Sequence, residues 1–126
     1  LIISNDIMLP RVVYKIVTKV NWATFIKSGL KETKGFGNDL TDGFIHLSTH
    51  EQLHPTFINK FKANSLLKTK NKFKLIAVDL DLSVGVKWEP DKNGLIYPHL
   101  YSTLVLGHNV LWVLNLEKYQ FDKNGI

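Results

Sequence analysis

The chain has 126 residues, no cysteine and a net charge of +5. That length gives one domain with a core that needs neither disulfide nor metal, and the composition excludes disulfide frameworks, thiolate zinc sites and cysteine nucleophiles. Positive charge favours an anionic partner, but fifteen of the sixteen basic residues are lysine and only Arg11 is arginine, which argues against bidentate reading of phosphates or bases.

Along the chain, Val12 to Val17 has the β-branched and aromatic content of a strand. Asn21 then offers an N-cap, and Trp22, Phe25, Ile26 and Leu30 mark one face of a helix closed by Gly29. Residues 31–42, rich in Gly, Asn, Asp and Thr, are expected to form a long loop of the kind that often carries function. Asp42, beside Gly43, reads as a turn residue. A strand over Phe44 to Leu47 follows, and Ser48-Thr49-His50-Glu51 matches a capping box that starts a second helix. Pro55 predicts a kink or restart in that helix, and Phe57, Ile58 and Phe61 continue its apolar face. Phe73 to Leu80 is the strongest strand in the chain, Val84 to Glu89 is another, and Asn93-Gly94 signals a hairpin that brings Glu89 towards His99. Asn109 to Leu116 reads as the closing strand.

The order of these elements predicts an α+β fold, with residues 10–120 as a single domain and 1–9 and 121–126 as terminal extensions. No apolar run approaches the roughly 18–20 residues that span a bilayer, so a cytoplasmic protein with no membrane partner is expected. The lysine-rich stretch from Lys60 to Lys74 reads as a solvated loop leading into a strand. An RNA or phosphate contact is its alternative, although a single aromatic, Phe73, makes a poor stacking platform.

Two blocks carry the chemistry: Gly43-Phe44-Ile45-His46-Leu47-Ser48-Thr49 and Pro98-His99-Leu100-Tyr101. Each places a histidine and hydroxyl groups in or beside an apolar strand. A buried ring bonded to backbone is the plain reading of either histidine, whereas the neighbouring Ser48, Thr49 and Tyr101 hydroxyls point to a pocket. His50-Glu51-Gln52-Leu53-His54 satisfies the letters of a zinc motif, but Glu51 is needed for the cap, a third ligand is missing and Pro55 follows directly. His46, Glu89 and His99 match a two-histidine, one-carboxylate iron set, a trio that also arises wherever polar groups converge in a pocket. No metal is expected at either place. Trp88 and Glu89 read either as core packing beside a solvated strand end, or as a stacking ring with a carboxylate for a ribose hydroxyl. Asp79 and Asp81 read as a solvated strand edge.

Taken together, Val13 to Ile16, Trp22 to Leu30, Asp42 to Thr49 with Glu51-Gln52, Ala77-Val78-Asp79, Trp88-Glu89-Pro90, and Pro98 to Tyr101 with Val110 to Val113 resemble the family of unknown function numbered nine-five-two. That family looks like a compact relative of the ADP-ribosyltransferase fold, similar in segment order to the RNA 2'-phosphotransferases. The resemblance implies two small, mostly antiparallel sheets splayed around a cleft, with two flanking helices and NAD or another small nucleotide as ligand. His46, Glu89 and His99 would be catalytic, and Tyr14, Lys15, Ser48, Thr49, Trp88 and Tyr101 would bind the cofactor. Glu89 would polarise the ribose as nicotinamide leaves, in cleavage of NAD or transfer of ADP-ribose. The chain lacks the arginine clamp of the phosphotransferases. A non-catalytic nucleotide-binding module and a metal-dependent enzyme using His46, Glu89 and His99 are the alternatives.

Overall fold

The apolar segment that ends at Asp79 is the central strand of the protein, because both of its faces are covered. The computed structural model describes residues 2–3, 7–61 and 70–120. In chain order, a short antiparallel pair, β1 (Ile2–Ile3) and β2 (Ile7–Met8), precedes β3 (Val12–Thr18) and helix α1 (Lys19–Lys27). β4 (Glu32–Thr33), the short helix α2 (Asn38–Asp42) and β5 (Ile45–His46) follow, and a 3-10 turn over His50–Gln52 runs into helix α3 (Leu53–Phe61). Then come β6 (Phe73–Asp79), β7 (Val86–Pro90), β8 (Ile96–Leu100), β9 (Leu104–Val105) and β10 (Val110–Asn115).

β6 lies between β10 and β3 in one antiparallel sheet, and β8 lies between β5 and β7 in a second; β4 and β9 form a separate pair. The molecule is therefore α+β with small antiparallel sheets. Alternation along β6 and β3 divides the core. Ile76 and Val78 join Val13 and Val17 on one face, packed against Ile45, Leu47 and Leu100 of the second sheet and Leu104. Phe73, Leu75 and Ile16 face the other way, onto Leu53 and Phe57 of α3 and onto Leu116. A strand buried on both faces has no polar side to alternate with, which is why its sequence reads as a nearly continuous apolar run.

Several local expectations shift. α1 starts earlier than predicted: Thr18, still extended at the end of β3, is the N-cap and accepts from the Asn21 amide at 3.0 Å. Of its predicted apolar face only Phe25 is buried, while Ile26 and Leu30 are exposed. The capping box closes one residue late, on Thr49 and Gln52, because Ser48 is already engaged: its backbone pairs with Tyr14 and its hydroxyl with Thr56. The restart expected at Pro55 falls at Leu53 instead. The 3-10 turn gives way to the α-helix at Leu53, which puts Pro55 in a first turn where its missing N–H costs little. Residues 31–42 are not one loop but contain β4 and α2. The Asn93-Gly94 hairpin has a longer loop than a two-residue turn, closed by Asp91, whose carboxylate accepts from the Asn93 and Leu95 amides. Asp79 is not a solvated edge residue: it is buried, and Arg11 clamps it with two hydrogen bonds of 2.9 and 2.7 Å, whereas Asp81 is exposed. Of the basic stretch, residues 62–69 lie outside the described residues.

Asn109 ties the loops at one end of the sandwich. Its side chain is buried, accepts from the Val105 amide at 2.7 Å and donates to the Thr103 carbonyl and the Ser83 hydroxyl. Replacing it with alanine orphans a half-buried amide and carbonyl, so Asn109→Ala is expected to lose about 1–3 kcal/mol in urea denaturation. A loss within error would show that water takes over all three bonds.

Candidate functional site

The two sheets meet where β3 pairs with Ser48, two residues beyond the end of β5. Tyr14 and Ser48 exchange both backbone hydrogen bonds, each 2.8 Å long. Beside that bridge the sheets diverge and leave a cleft of about 580 Å³, within the size range of small-molecule sites. Tyr14, Lys15 and Ile16 form one wall and His46, Leu47 and Ser48 the floor; α3 supplies Thr56, Asn59 and Lys60, and the β7–β8 hairpin supplies Lys92, Asn93, Tyr97 and His99.

Under this floor lies a buried carboxylate that sequence reasoning missed. Asp39 Oδ1 accepts from Lys15 Nζ at 2.9 Å, from the His46 amide at 3.0 Å and from His46 Nδ1 at 2.6 Å, while Oδ2 accepts from the Phe36 amide at 3.0 Å. Burial works against its charge, but the His46 ring, Lys15 and the two amides outweigh it and hold the carboxyl at about 2. Lys15 is pushed down to about 8 by burial, against the attraction of Asp39 and with the charge of Lys60 adding to the fall. Both partners are thus ionised at neutral pH. The neighbouring loop is shaped to this carboxylate. Gly35, at φ +115°, passes so close that a Cβ there would lie 2.5 Å from Asp39.

His46 and His99 are direct cross-strand partners of β5 and β8, so their rings share one sheet face, with centroids 5.6 Å apart. Phe44 stacks on His99 at 4.1 Å and lies 4.6 Å from His46. The two rings are wired differently. His46 has a carboxylate at each nitrogen, Asp39 at Nδ1 and Asp42 at Nε2, the latter 3.0 Å away. His99 has Glu89 alone: Nδ1 stands 2.8 Å from Glu89 Oε1, and an ionised carboxylate only accepts, so Nδ1 carries the proton. His99 Nε2 has no protein partner among the described residues. The same Oε1 accepts from the Tyr101 hydroxyl at 2.6 Å. Those two bonds, Tyr101 first, hold Glu89 below the usual carboxylate range, and Glu89 in turn raises the Tyr101 phenol.

The residues singled out from sequence therefore divide. Tyr14, Lys15, Ser48, His46 and His99 line the cleft. Glu89 and Tyr101 stand behind His99 rather than in the lining. Thr49 is spent as the helix cap. Trp88 points away, because neighbours along a strand alternate faces, and it packs against the core between the sheets. His50 sits in the 3-10 turn with Nδ1 on the Tyr119 hydroxyl, and His54 is in α3, so the zinc-like pattern does not fall on one helix face. Among the described residues no group of three or more potential ligands is placed to hold a metal ion.

Residues 16–113 match the family described as protein of unknown function DUF952. The match covers well over half of the chain, which belongs to that family. The crystal structure of protein CC0527 from Caulobacter crescentus is similar to it, with 30% identity, 91% of each chain covered and a TM-score of 0.68. The solution NMR structure of the same protein gives 30% identity, 92% and 90% coverage and a TM-score of 0.66. No curated protein matches the chain.

Asp39→Asn leaves the Lys15 ammonium buried without its counter-charge, and the expected loss is about 3–5 kcal/mol. The pH dependence has a definite sign. A carboxyl held at about 2 in the fold against 3.8 unfolded contributes stability that is present above pH 4 and lost as pH falls through 2. Urea titrations between pH 5 and 2 should show wild type losing more stability than Asp39→Asn. Parallel losses would contradict the placement of this charge.

Proposed function

We propose that the chain is an enzyme that moves a proton on a small anionic, nucleotide-type ligand held in the cleft, with His99 as its acid–base group. The observation that carries this reading is the Glu89–His99 pair: the carboxylate binds Nδ1 at 2.8 Å and leaves Nε2 unpartnered on a ring that lines the cleft. A carboxylate at one nitrogen fixes tautomer and orientation, so the other nitrogen presents a lone pair as a base and returns the proton as an acid. The net charge of +5 and the Lys60 and Lys92 ammonium groups at the rim favour an anion.

The finer reading, an ADP-ribosyltransferase-like domain that cleaves NAD or transfers ADP-ribose, remains a proposal on the same cleft, with NAD as the first ligand to test and short RNA as the second. In it Glu89 acts through His99, since its bonds to His99 and Tyr101 keep it behind the lining and away from a ribose. A non-catalytic nucleotide-binding module is the second reading, favoured by His46, both of whose nitrogens are taken by carboxylates.

The test is turnover of NAD and a panel of nucleotides, followed by phosphorus NMR and nicotinamide release, beside calorimetric binding. His99→Gln and Glu89→Gln should each lower turnover by about 10²–10⁴-fold while binding stays within about threefold, because neither change removes the lysines or hydroxyls of the cleft. Binding without turnover by wild type, or equal turnover by all three proteins, would contradict the enzyme.

A further inference from the structure

β10 is the outer strand of its sheet. The order β10-β6-β3 puts β6 on one side of it and no strand among the described residues on the other. Sheet edges are ordinarily blunted by lysine, by proline or by a covering segment. β7, an edge of the second sheet, has Lys87, Glu89 and Pro90, and β3, the far edge of β10's own sheet, is joined to Ser48. β10 has none of these. In a chain with sixteen basic residues, positions 109–116 hold no charged side chain, and Leu111, Trp112 and Leu114 are 45%, 37% and 38% exposed.

The ladder determines which peptide groups this edge offers. Antiparallel pairs alternate between positions that exchange hydrogen bonds and positions that do not. Tyr14 gives both of its backbone groups to Ser48, so its pairing with Ala77 is of the second kind; Ala77 therefore turns its groups to Trp112, and Leu75 likewise to Leu114. Between them Val113, opposite Ile76, has its N–H and C=O turned outward. Neither group has a hydrogen-bond partner among the described residues. The bulge of this strand lies between Val110 and Trp112 and leaves Trp112 to Asn115 regular.

We propose that β10 is a dimer interface, on which the same strand of a second copy of this chain pairs antiparallel about a two-fold axis at Val113. Val113 then exchanges both backbone hydrogen bonds with the partner's Val113, and Trp112 stands directly opposite the partner's Leu114 on the face where both are exposed. The Trp112 ring is already held by Tyr14 and Tyr119, with centroids 5.9 and 6.3 Å away, so placing it costs little side-chain freedom. Charge points to a second copy as the occupant. The edge has no charge by which a differently charged partner could be recognised, only backbone groups and apolar side chains that are their own complement under a two-fold axis. Two chains of +5 repel, and they meet with least repulsion along an uncharged strand. The product is a continuous six-stranded sheet, an ordinary size. No residue of β10 lines the cleft, so this interface stands apart from the proposed site.

The experiment uses the whole chain, with light scattering after size exclusion over a dilution series and amide hydrogen exchange followed by NMR. The mass should fall from twice 14.4 kDa towards that of one chain on dilution, and the Val113 amide should lose protection over the same range, while the Trp112 and Leu114 amides, bonded within the sheet, stay protected. Leu114→Lys, at an exposed position, should weaken the dimer by at least about tenfold while the amide spectrum remains that of a folded chain. If that variant does not fold, the concentration dependence of Val113 exchange in wild type decides alone. A monomer at every concentration with fast exchange at Val113 would leave the edge to another protein and overturn the proposal. A monomer with a protected Val113 amide would show that the chain covers its own edge, and would overturn it too. A dimer in which Val113 stays unprotected, or one that folded Leu114→Lys leaves intact, would place the contact elsewhere and overturn this interface.

Discussion

A single buried carboxylate fixes the geometry of this molecule. Asp39 takes two hydrogen bonds from backbone amides, one from an ammonium and one from an imidazole, and so joins α2, β3 and β5 at one point. A buried ion pair, here between α2 and β3, is not a strong source of net stability, since desolvation offsets most of the attraction. Its effect is positional: Lys15 Nζ bonds Asp39 at 2.9 Å, and because a buried lysine without a partner is costly, the pair holds the loop from Thr33 to Gly43 against β3. The floor of the cleft is set by electrostatic need as much as by packing.

The cleft itself follows from how the sheets join. Had β3 continued to pair with β5, the two sheets would form one surface with no recess. The pairing stops after one bridge, Tyr14 to Ser48, because the chain turns at Thr49 into the cap that begins the next helix. Diverging sheets leave a recess, and α3 walls one side of it. The cross-strand register then puts His46 and His99 together on that side, since residues directly opposite on antiparallel strands share a face. Two histidines that look equivalent in sequence end with unequal wiring, one held between Asp39 and Asp42 and the other aimed by Glu89.

Much of this was legible in the sequence. The run from Phe73 announces the central strand, Asn93-Gly94 the hairpin, and the two histidine blocks a shared neighbourhood, because period-two alternation and turn chemistry are local rules. Asp39 was not legible, since it sits in a stretch whose Gly, Asn and Asp content reads as loop. The signal that pointed to it was Lys15, which alternates with Val13 and Val17 on a face that must be buried and therefore demands a distant carboxylate. The same alternation separates Trp88 from Glu89, neighbours in sequence that face opposite ways. Asp79 looked solvated because its partner, Arg11, is 68 residues away, and long-range pairing leaves no local trace.

The tautomer of His99 tests the acid–base assignment most directly, through long-range nitrogen-15 correlation of the labelled imidazole. In the neutral ring the structure requires the proton on Nδ1 and a bare Nε2, with the ratio of tautomers shifting in Glu89→Gln. A ring protonated on Nε2, or a ratio unmoved by that substitution, would contradict His99 as the group presented to the cleft.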